Sequence, residues 1–255
     1  MTRREPRHEL GRLAFYASRE HTCSYLPDRR ATTLFADPSA QMSNRLYDVL
    51  SEHGFRRSGS YVYRPACRGC ACCIPARIPV ADFRPSRSQR RVLARNRDLR
   101  VRLLPPDYRE EHFGLYRRYI GSRHRGGGMD DPTPERYLEF LTSPWSDTAF
   151  IEMRLPEGAL AAVAVADRMP RGWSAVYTFF DPALGRRSLG TYAVLWQVRA
   201  LQALGLPWLY LGYWIPECRK MAYKARFLPL EVQREGRWRR LDSPAAVEAF
   251  LAGER

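Results

Sequence analysis

The amino-acid sequence predicts an α/β (α+β) fold with a mixed sheet, flanking helices and a smaller, basic, cysteine-containing N-terminal domain. Three apolar segments follow one another closely and are separated by Pro and Gly turns, which is typical of antiparallel strands. A helical pattern and a further apolar strand come next, and two strands joined through a helix lie parallel. We therefore predict an N-terminal domain at residues 1–104 and a C-terminal domain at residues 105–255.

Charge is distributed unevenly along the 255 residues, which carry a net charge of +15. Residues 1–100 contain 20 arginines against 9 acidic residues, whereas residues 101–255 contain 22 basic and 18 acidic residues. This asymmetry indicates that a polyanion contacts the N-terminal portion, and nucleic acid is the leading candidate. An arginine-rich composition alone would raise the charge of both parts.

Several classes of protein are excluded by composition. A hydrophobic fraction of 45% excludes wholesale disorder. No apolar run is long enough to span a membrane, and the first residues lack the apolar core of a signal peptide. We therefore expect a cytoplasmic monomer without a membrane partner.

The N-terminal portion contains a helical pattern that ends at Gly54 and a strand at residues 61–63. A second helix is predicted from Arg84 to Arg100, with Ser86 as its N-cap and seven arginines. A helix that is polar all round is either a solvated face or a phosphate-contacting one. The charge asymmetry favours phosphate contact, and we expect Arg90 and Arg91 to take part.

Five of the six cysteines precede residue 74. Cys67, Cys70, Cys72 and Cys73, together with Cys23, could supply thiolates to zinc or an iron–sulfur cluster. Against this, no second CxxC pair is present, adjacent cysteines point poorly at one ion, and free cysteines are common in cores. We expect no stoichiometric metal.

The elements of the C-terminal portion follow in order. Asp107 and Thr133-Pro134 start two helices, with a glycine-rich loop containing His124 between them. The three antiparallel strands are Thr148–Arg154, Ala159–Asp167 and Trp173–Phe180; a helix from Ser188 to Gly205, a strand from Pro207 to Tyr213, a hairpin over 229–240 and a helix after Ser243 complete the chain.

The start of the long helix is a candidate anion site. Ser188 is a suitable N-cap, and Arg186 and Arg187 precede it. The first backbone N–H groups of a helix, here up to Gly190, lack partners within the helix and attract anions. A capped surface helix would give the same pattern.

Residues 212–224 have the least ordinary composition in the chain. The sequence contains 40 arginines and 2 lysines, and both lysines, Lys220 and Lys224, lie in this segment. They are four residues apart, on one face of a predicted helix. Their pairing indicates positions that need a compact ammonium group, although chance could also place them together.

The segments YTFFDP, RSLGTYAVLW, LGYWIPECRKMAYK, CSYLP and CCIPARIP resemble the bacterial aspartate/glutamate leucyltransferases, which are relatives of the eukaryotic arginyl-tRNA–protein transferases. The resemblance covers about residues 15–235. It implies an aminoacyl-tRNA donor, leucyl-tRNA, and acceptor proteins with an N-terminal Asp or Glu. It also implies a fold similar to the GNAT acetyltransferases, which agrees with the strand and helix order.

Two other functions fit parts of the sequence. An acetyl-CoA-dependent GNAT acetyltransferase is disfavoured, because Tyr192 stands where the GNAT turn has a small residue that admits a pyrophosphate. A non-catalytic RNA-binding protein would not need the lysine pair. An arginyl donor is a further alternative. No cofactor is required, since an aminoacyl ester is already activated and an α-amino group is partly neutral at cytoplasmic pH.

Candidate site residues follow from these points. For the acceptor carboxylate we expect Lys220 and Lys224, with Arg77 and His124 across the cleft. Catalytic candidates are Tyr213 and Tyr223, which flank the lysines. A leucyl pocket should be apolar, and we assign it to Trp214, Ile215 and Met221.

Overall fold

The computed structural model describes residues 13–123 and 132–253. Its strands are β1 (Phe15–Ala17), β2 (His21–Thr22), β3 (Arg30–Ala31), β4 (Thr33–Ala36), β5 (Arg56–Ser58), β6 (Tyr61–Pro65), β7 (Ile74–Pro79), β8 (Arg100–Leu104), β9 (Thr148–Arg154), β10 (Leu160–Met169), β11 (Gly172–Phe180), β12 (Trp208–Trp214), β13 (Leu230–Arg234) and β14 (Arg237–Leu241). The α-helices are α1 (Asn44–Glu52), α2 (Arg87–Arg95), α3 (Glu110–Arg123), α4 (Pro134–Leu141), α5 (Leu189–Leu204) and α6 (Pro244–Ala252), and there are 3₁₀ helices at Val80–Asp82, Pro182–Arg187 and Ala222–Arg226.

The strands form one large and two small sheets. The large sheet has eight strands in the order β14-β13-β7-β12-β11-β10-β9-β8. A four-stranded sheet has the order β1-β4-β6-β5, and β2 pairs with β3. Helices flank the large mixed sheet, so the predicted α/β class is confirmed.

The central part of the large sheet has the predicted connectivity. Strands β9, β10 and β11 are antiparallel neighbours, and β11 continues through α5 to β12, which lies parallel to it. A strand joined through a helix to a parallel neighbour is the connection expected for strands that lie parallel. The order predicted from the apolar segments is therefore confirmed.

Two strands of the large sheet come from residues before 105 and were not predicted. Strand β7 lies between β12 and β13, and β8 forms the edge beside β9. Pro75 and Pro79 have no backbone N–H to donate, and a sequence with such prolines is not expected to form a central strand. Both lie in β7 opposite residues of β12. Residues 74–104 therefore share a sheet with the C-terminal part.

The core has two sides because the central strands are buried on both faces. In β10, Ala162, Ala164 and Ala166 pack into the cluster beneath α5. Val163 and Val165 pack into the cluster beneath α3 and α4. Successive side chains of a strand point to opposite faces, so one short segment contributes to both clusters.

A buried ion pair joins the four-stranded sheet to the large sheet. Arg57 of β5 donates to both carboxylate oxygens of Asp167 in β10, at 2.5 Å each, and both side chains are fully buried. The guanidinium also donates to the carbonyl of Leu141 and to the hydroxyl of Thr148. Removing one partner of such a pair typically costs about 3–5 kcal/mol.

The helix starts agree with prediction at Ser86 and differ at Ser188. Ser86 forms a capping box with Gln89 at the start of α2. Ser188 instead adopts a left-handed conformation with φ of 55° and makes no side-chain cap, so its predicted role as a capping side chain is wrong. The 3₁₀ helix that ends at Arg187 runs directly into α5, which leaves Ser188 to make the sharp turn between them.

Candidate active site

The two parallel strands β11 and β12 separate along their length. They pair at three positions, from Gly172 with Trp208 to Ser174 with Tyr210. Beyond this point each strand continues, β11 to Phe180 and β12 to Trp214, without pairing to the other. Ligands in open α/β sheets bind at the carboxyl ends of diverging strands. The gap between β11 and β12 is therefore the candidate active-site cleft.

Gly212 makes a bend in β12 at the cleft. Its φ is +71°, a conformation that favours glycine, and the register with β7 shifts between Tyr210 and Gly212. A Cβ atom at position 212 would lie 3.1 Å from Nη1 of Arg56. The bend thus lets the Arg56 side chain, from the four-stranded sheet, pass close to the backbone of β12.

Arg56 connects the groups around the cleft electrostatically. Its guanidinium carbon lies 6.0 Å from the ring centroid of Tyr213. Its charge acts to lower the pKa of Tyr25, Tyr223 and Lys224. Side chains from the N-terminal loop, β5, β12 and the 3₁₀ helix at Ala222–Arg226 therefore converge on one region.

Lys224 is the buried lysine of this region. Its side chain is buried, and Nζ donates to the backbone carbonyl of Tyr213 and contacts Sδ of Met221 at 3.5 Å. Burial lowers the pKa of Lys224 to about 7, and the Arg56 charge adds to this effect. A substantial fraction of Lys224 is then neutral at pH 7 and can accept a proton.

Lys220 does not share a helix face with Lys224. Residues 216–221 form turns, and only Ala222–Arg226 is helical, as a 3₁₀ helix. Lys220 is exposed whereas Lys224 is buried. The prediction of two lysines in register is therefore wrong, because the chain turns tightly through residues 216–221 and becomes helical only from Ala222.

The two tyrosine candidates differ in their surroundings. Tyr213 is buried, and its hydroxyl donates to the carbonyls of Gly54 and Tyr63 at 3.0 and 3.2 Å. This hydroxyl holds the small sheet to β12, so the catalytic role predicted for Tyr213 is replaced by a structural one. Tyr223 is 38% exposed, and burial of its phenol, with Tyr119 nearby, raises its pKa to about 12. Tyr223 remains a candidate proton donor.

Arg77 does not face the cleft. Its guanidinium donates to Glu52 at 2.9 Å and to Glu231 at 2.8 Å. It is stacked between the rings of Trp208 and Trp238, at 3.7 and 4.0 Å from their centroids. Two carboxylates already satisfy this cation, so its predicted role in acceptor binding is wrong. Its partner for that role, His124, lies outside the described residues.

Two of the three predicted leucyl-pocket residues belong to the hydrophobic core. Trp214 is 1% exposed and packs against Phe250 of α6. Ile215 is fully buried beside Leu26. Both side chains are enclosed by these partners, Trp214 at the end of the inner strand β12 and Ile215 directly after it, so the prediction is wrong for them. Met221 is partly buried next to Lys224 and keeps its assignment.

An aromatic wall lies on the β11 side of the cleft. The ring centroid of Tyr119 in α3 is 4.9 Å from that of Phe180 and 6.3 Å from that of Tyr177. Arg123 lies 5.4 Å from the Phe180 ring centroid. No local pattern in the sequence groups these residues, since they lie on a helix and a strand that are distant in the chain.

The candidate anion site lies at the end of this wall. Phe180 is 3.6 Å from the position of a Cβ atom on Gly190, at the start of α5. Arg187 donates to both oxygens of Asp98 at 2.8 and 2.9 Å, whereas Arg186 is exposed. Of the two predicted arginines, Arg187 is therefore paired, whereas Arg186 is exposed and has no carboxylate partner among residues 13–123 and 132–253.

Helix α2 is attached to the start of α5. Arg95 donates to the carbonyl of Arg186, and Asn96 donates to the carbonyl of Arg187 at 2.8 Å. Arg90 and Arg91 are exposed on the same helix. The arginine-rich helix and the candidate anion site, which lie about 100 residues apart in the chain, therefore form one basic surface.

The cysteines of the N-terminal portion cluster near the end of β12. Cys23, Cys72 and Cys73 pack against the group formed by Leu26, Tyr213 and Ile215. Arg29 donates to Sγ of Cys72 at 2.9 Å and to Glu217 at 2.8 Å.

The thiols of this cluster have different acidities. Burial raises the pKa of Cys73 to about 12, and the neighbouring thiols Cys23, Cys67, Cys70 and Cys72 add to the shift. Across residues 13–123 and 132–253, no three His, Cys, Asp or Glu side chains are arranged to hold a metal ion. In that same part of the chain, no helix is long and apolar enough to cross a membrane.

Comparison with known proteins places this arrangement in a family. The model for the arginine-tRNA-protein transferase N terminus matches residues 21–91, and the model for its C terminus matches residues 111–234. These two regions contain Arg56 and the cleft residues from Tyr119 to Lys224.

Individual relatives agree with the family models. Aspartate/glutamate leucyltransferase from Nitrosococcus oceani is 54% identical over 88% of this chain and 94% of its own. The proteins of the same name from Pseudomonas aeruginosa and Marinobacter nauticus are 53% and 50% identical, over 90% and 92% of this chain and 97% and 98% of theirs. The chain belongs to the arginine-tRNA-protein transferase family and is similar over nearly its whole length to aspartate/glutamate leucyltransferases.

Proposed function

We propose that this protein transfers leucine from leucyl-tRNA to the N-terminal amine of proteins that begin with Asp or Glu. The observation that carries the proposal is that the start of α5 lies beside Phe180 at the end of β11, and Lys224 is bonded to Tyr213 near the end of β12, so both lie at the edges of the same cleft. Gly190 lies beside Phe180, Phe180 packs against Tyr119, and Tyr119 is near enough to Tyr223 to influence its pKa. Donor and acceptor can therefore meet between β11 and β12.

The donor end of the cleft suits the acceptor stem of a tRNA. The N–H groups at the start of α5 and the exposed Arg186 are suited to a terminal phosphate. Arg90 and Arg91 on α2 extend the same basic surface toward more distant phosphates. Electrostatic contacts of this kind give binding that weakens as salt is added.

The chemistry needs no covalent enzyme intermediate. The neutral α-amine attacks the ester carbonyl, the new amide bond forms, and the ester bond to the ribose oxygen breaks. Lys224 accepts the proton that the attacking nitrogen loses as the amide forms, and Tyr223 donates a proton to the leaving ribose oxygen. Return of the proton from Lys224 to Tyr223 restores both groups. Positioning of amine and ester supplies much of the rate, and proton transfer typically contributes about 10²–10⁴-fold.

The proposal extends to the leucyl contact, the cellular location, the oligomeric state and the part of the chain that is catalytic. A leucyl side chain requires an apolar contact, for which Met221 and the aromatic wall of Tyr119, Tyr177 and Phe180 are candidates. We propose that the protein acts as a cytoplasmic monomer without a resident metal, and that residues 105–255 carry the chemistry.

A single competition assay tests the proposal. The protein is incubated with leucyl-tRNA, arginyl-tRNA and acetyl-CoA together with peptides that begin with Asp, Glu or Ala, and the products are identified by mass. We expect a leucine adduct on the Asp and Glu peptides. An arginine or acetyl adduct as the main product would contradict the donor assignment, and modification of the Ala peptide alone would contradict the acceptor assignment.

A further inference from the structure

Strand β5 carries two adjacent arginines with different surroundings. Arg57 is fully buried, and its guanidinium is satisfied by Asp167 and neighbouring oxygens. Arg56 points to the other face of the strand, toward β12 and the cleft. Within residues 13–123 and 132–253, no carboxylate lies within ion-pair distance of Arg56.

Acidic residues on the neighbouring elements are already engaged. Glu52, at the end of α1, pairs with Arg77 and accepts from the hydroxyl of Tyr210. Asp167 of β10 pairs with Arg57, and Glu217 after β12 pairs with Arg29. In the part of the chain that the structure describes, these carboxylates therefore serve Arg77, Arg57 and Arg29, and Arg56 is left without one.

The groups that surround Arg56 cannot neutralise it. They are phenols and one amine: Tyr25, Tyr47, Tyr63, Tyr213, Tyr223 and Lys224. Burial raises the pKa of Tyr25 and of Tyr47 to about 12, so these phenols stay protonated at neutral pH. An uncompensated cation in such surroundings is costly, and one held in a cleft is a candidate for binding an anion.

We propose that Arg56 binds the side-chain carboxylate of the first residue of the acceptor protein. This inference rests on the proposed function and assigns the selection of Asp and Glu to one residue. The guanidinium can pair with a carboxylate through two parallel hydrogen bonds that join opposite charges. The amide side chain of Asn or Gln is neutral and cannot form such an ion pair.

The position of Arg56 also agrees with the reaction. Lys224 and Arg56 are close enough for their charges to interact. In this proposal, a carboxylate held by Arg56 places the adjacent α-amine on the side of the cleft where Lys224 lies. Arg56 then binds the side-chain carboxylate of the acceptor, while the amine of Lys224 accepts the proton from the α-amine. The two residues therefore have separate roles.

The test is a comparison of charged and neutral first residues. We would measure kcat/KM for leucyl transfer to peptides that begin with Asp, Asn, Glu and Gln, for the wild-type protein, Arg56→Gln and Arg56→Lys. Arg56→Gln is expected to lower kcat/KM for the Asp peptide by about 100-fold or more and to bring the Asp/Asn ratio close to one. Arg56→Lys should lower that ratio by at least about tenfold, because the lysine ammonium lacks the two parallel N–H donors of a guanidinium.

A matched control is Arg64→Gln on the adjacent strand β6, since Arg64 is exposed and lies over Phe55 outside the cleft. It should keep the wild-type Asp/Asn ratio. A general folding defect would reduce transfer to both peptides equally, whereas loss of the carboxylate partner changes the ratio.

Each outcome decides the question. A wild-type ratio in Arg56→Gln would overturn the assignment, and if that variant does not fold, a wild-type ratio in Arg56→Lys would do so. A wild-type protein that transfers leucine to Asn peptides as well as to Asp peptides would overturn the proposed acceptor class itself. The two failures are therefore distinguishable.

Discussion

The side-chain nitrogen Nζ of Lys224 donates a hydrogen bond of 2.5 Å to the backbone carbonyl of Tyr213. The contact joins the 3₁₀ helix at Ala222–Arg226 to the end of β12. It fixes a side chain that is only 4% exposed at the carboxyl end of a diverging strand. Burial and position together make this lysine the candidate base of the cleft.

Replacing Lys224 should remove a proton acceptor. Lys224→Met is expected to lower kcat for Asp peptides by about 10²–10⁴-fold while leucyl-tRNA binding stays unchanged. In the wild-type protein, activity should rise as pH increases through about 7, because the neutral amine forms above its lowered pKa. The pH profile of kcat measures this, and Lys224→Arg should not restore it. Lys220→Met serves as the comparison in the same segment, and equal losses in both variants would contradict the assignment.

Stability should also depend on Lys224. Because its pKa is lowered in the folded state to about 7, the unfolded chain binds more protons between that pH and the ordinary lysine pKa. The free energy of unfolding contributed by this group therefore increases with pH across that window and is lowest below pH 7. Lys224→Met should flatten this dependence in denaturant titrations. An unchanged slope would show that the amine is not titrating near neutrality.

Arg56 and Arg57 should respond in opposite directions when each is replaced by Met. Arg56→Met removes an uncompensated cation, so we expect stabilisation of about 1 kcal/mol, which raises Tm by about 2–4 °C. Arg57→Met leaves Asp167 buried without its partner and should destabilise the protein by about 3–5 kcal/mol. Thermal unfolding compares the two neighbours. Destabilisation of similar size in both would mean that Arg56 has a structural partner.

Gly212 should be sensitive to a methyl group. Gly212→Ala places a Cβ atom 3.1 Å from Nη1 of Arg56 in a left-handed conformation, which should cost about 1–2 kcal/mol and displace the guanidinium. Gly158→Ala is the matched control, because Gly158 also has positive φ but no neighbouring atom within 4 Å. Both variants should lose stability in thermal unfolding. Only Gly212→Ala should lose activity toward Asp peptides.

The basic surface of α2 should act on the tRNA and not on the acceptor. The double variant Arg90→Glu/Arg91→Glu is expected to raise KM for leucyl-tRNA by about tenfold or more and to reduce its salt dependence. KM for the peptide should stay within about twofold, since both residues lie outside the cleft. Arg237→Glu/Arg239→Glu, on the outer strand β14, is the control for an equal change of net charge. Equal effects on both substrates would contradict the division of roles.

The cysteine cluster should carry thiols of different reactivity. Although burial raises the pKa of Cys70, hydrogen bonds from Cys72 and Arg29 lower it overall, whereas the pKa of Cys73 is raised to about 12. Iodoacetamide should therefore label Cys70 before Cys73, as read by peptide mass analysis. Native mass spectrometry should find no stoichiometric metal. A metal bound to protein that is purified without oxygen would overturn that expectation.

The order of elements from Thr148 to Tyr213 could be predicted because its signals are local. The apolar strands are separated by Gly and Pro turns, and the helix ends at Gly205. Each of these signals lies within the element that it predicts. Strand β7 could not be predicted, because its pairing partners in β12 and β13 are more than 120 residues away. Its two prolines fit only where the sheet supplies the right register.

Some residues of the candidate site could likewise be identified from local sequence, whereas others could not. The sequence identified the segment that holds Lys224 through its unusual composition, and the helix start near Gly190 through its turn and arginines. It could not distinguish Arg77, which two glutamates and two tryptophans satisfy, from Arg56, which faces the cleft. Both are arginines in short strands, and their difference lies in distant partners.

By itself, then, the sequence determined the family, the class of fold and the segments from which the cleft is built, because motifs and periodicity are properties of contiguous residues. Only the tertiary structure decided which cations remain without a partner and which lysine is buried. Charge compensation and desolvation depend on atoms brought together from β5, β7, β10 and β12. Such neighbours are fixed by strand pairing and packing, which act over distances in the chain that no local pattern records.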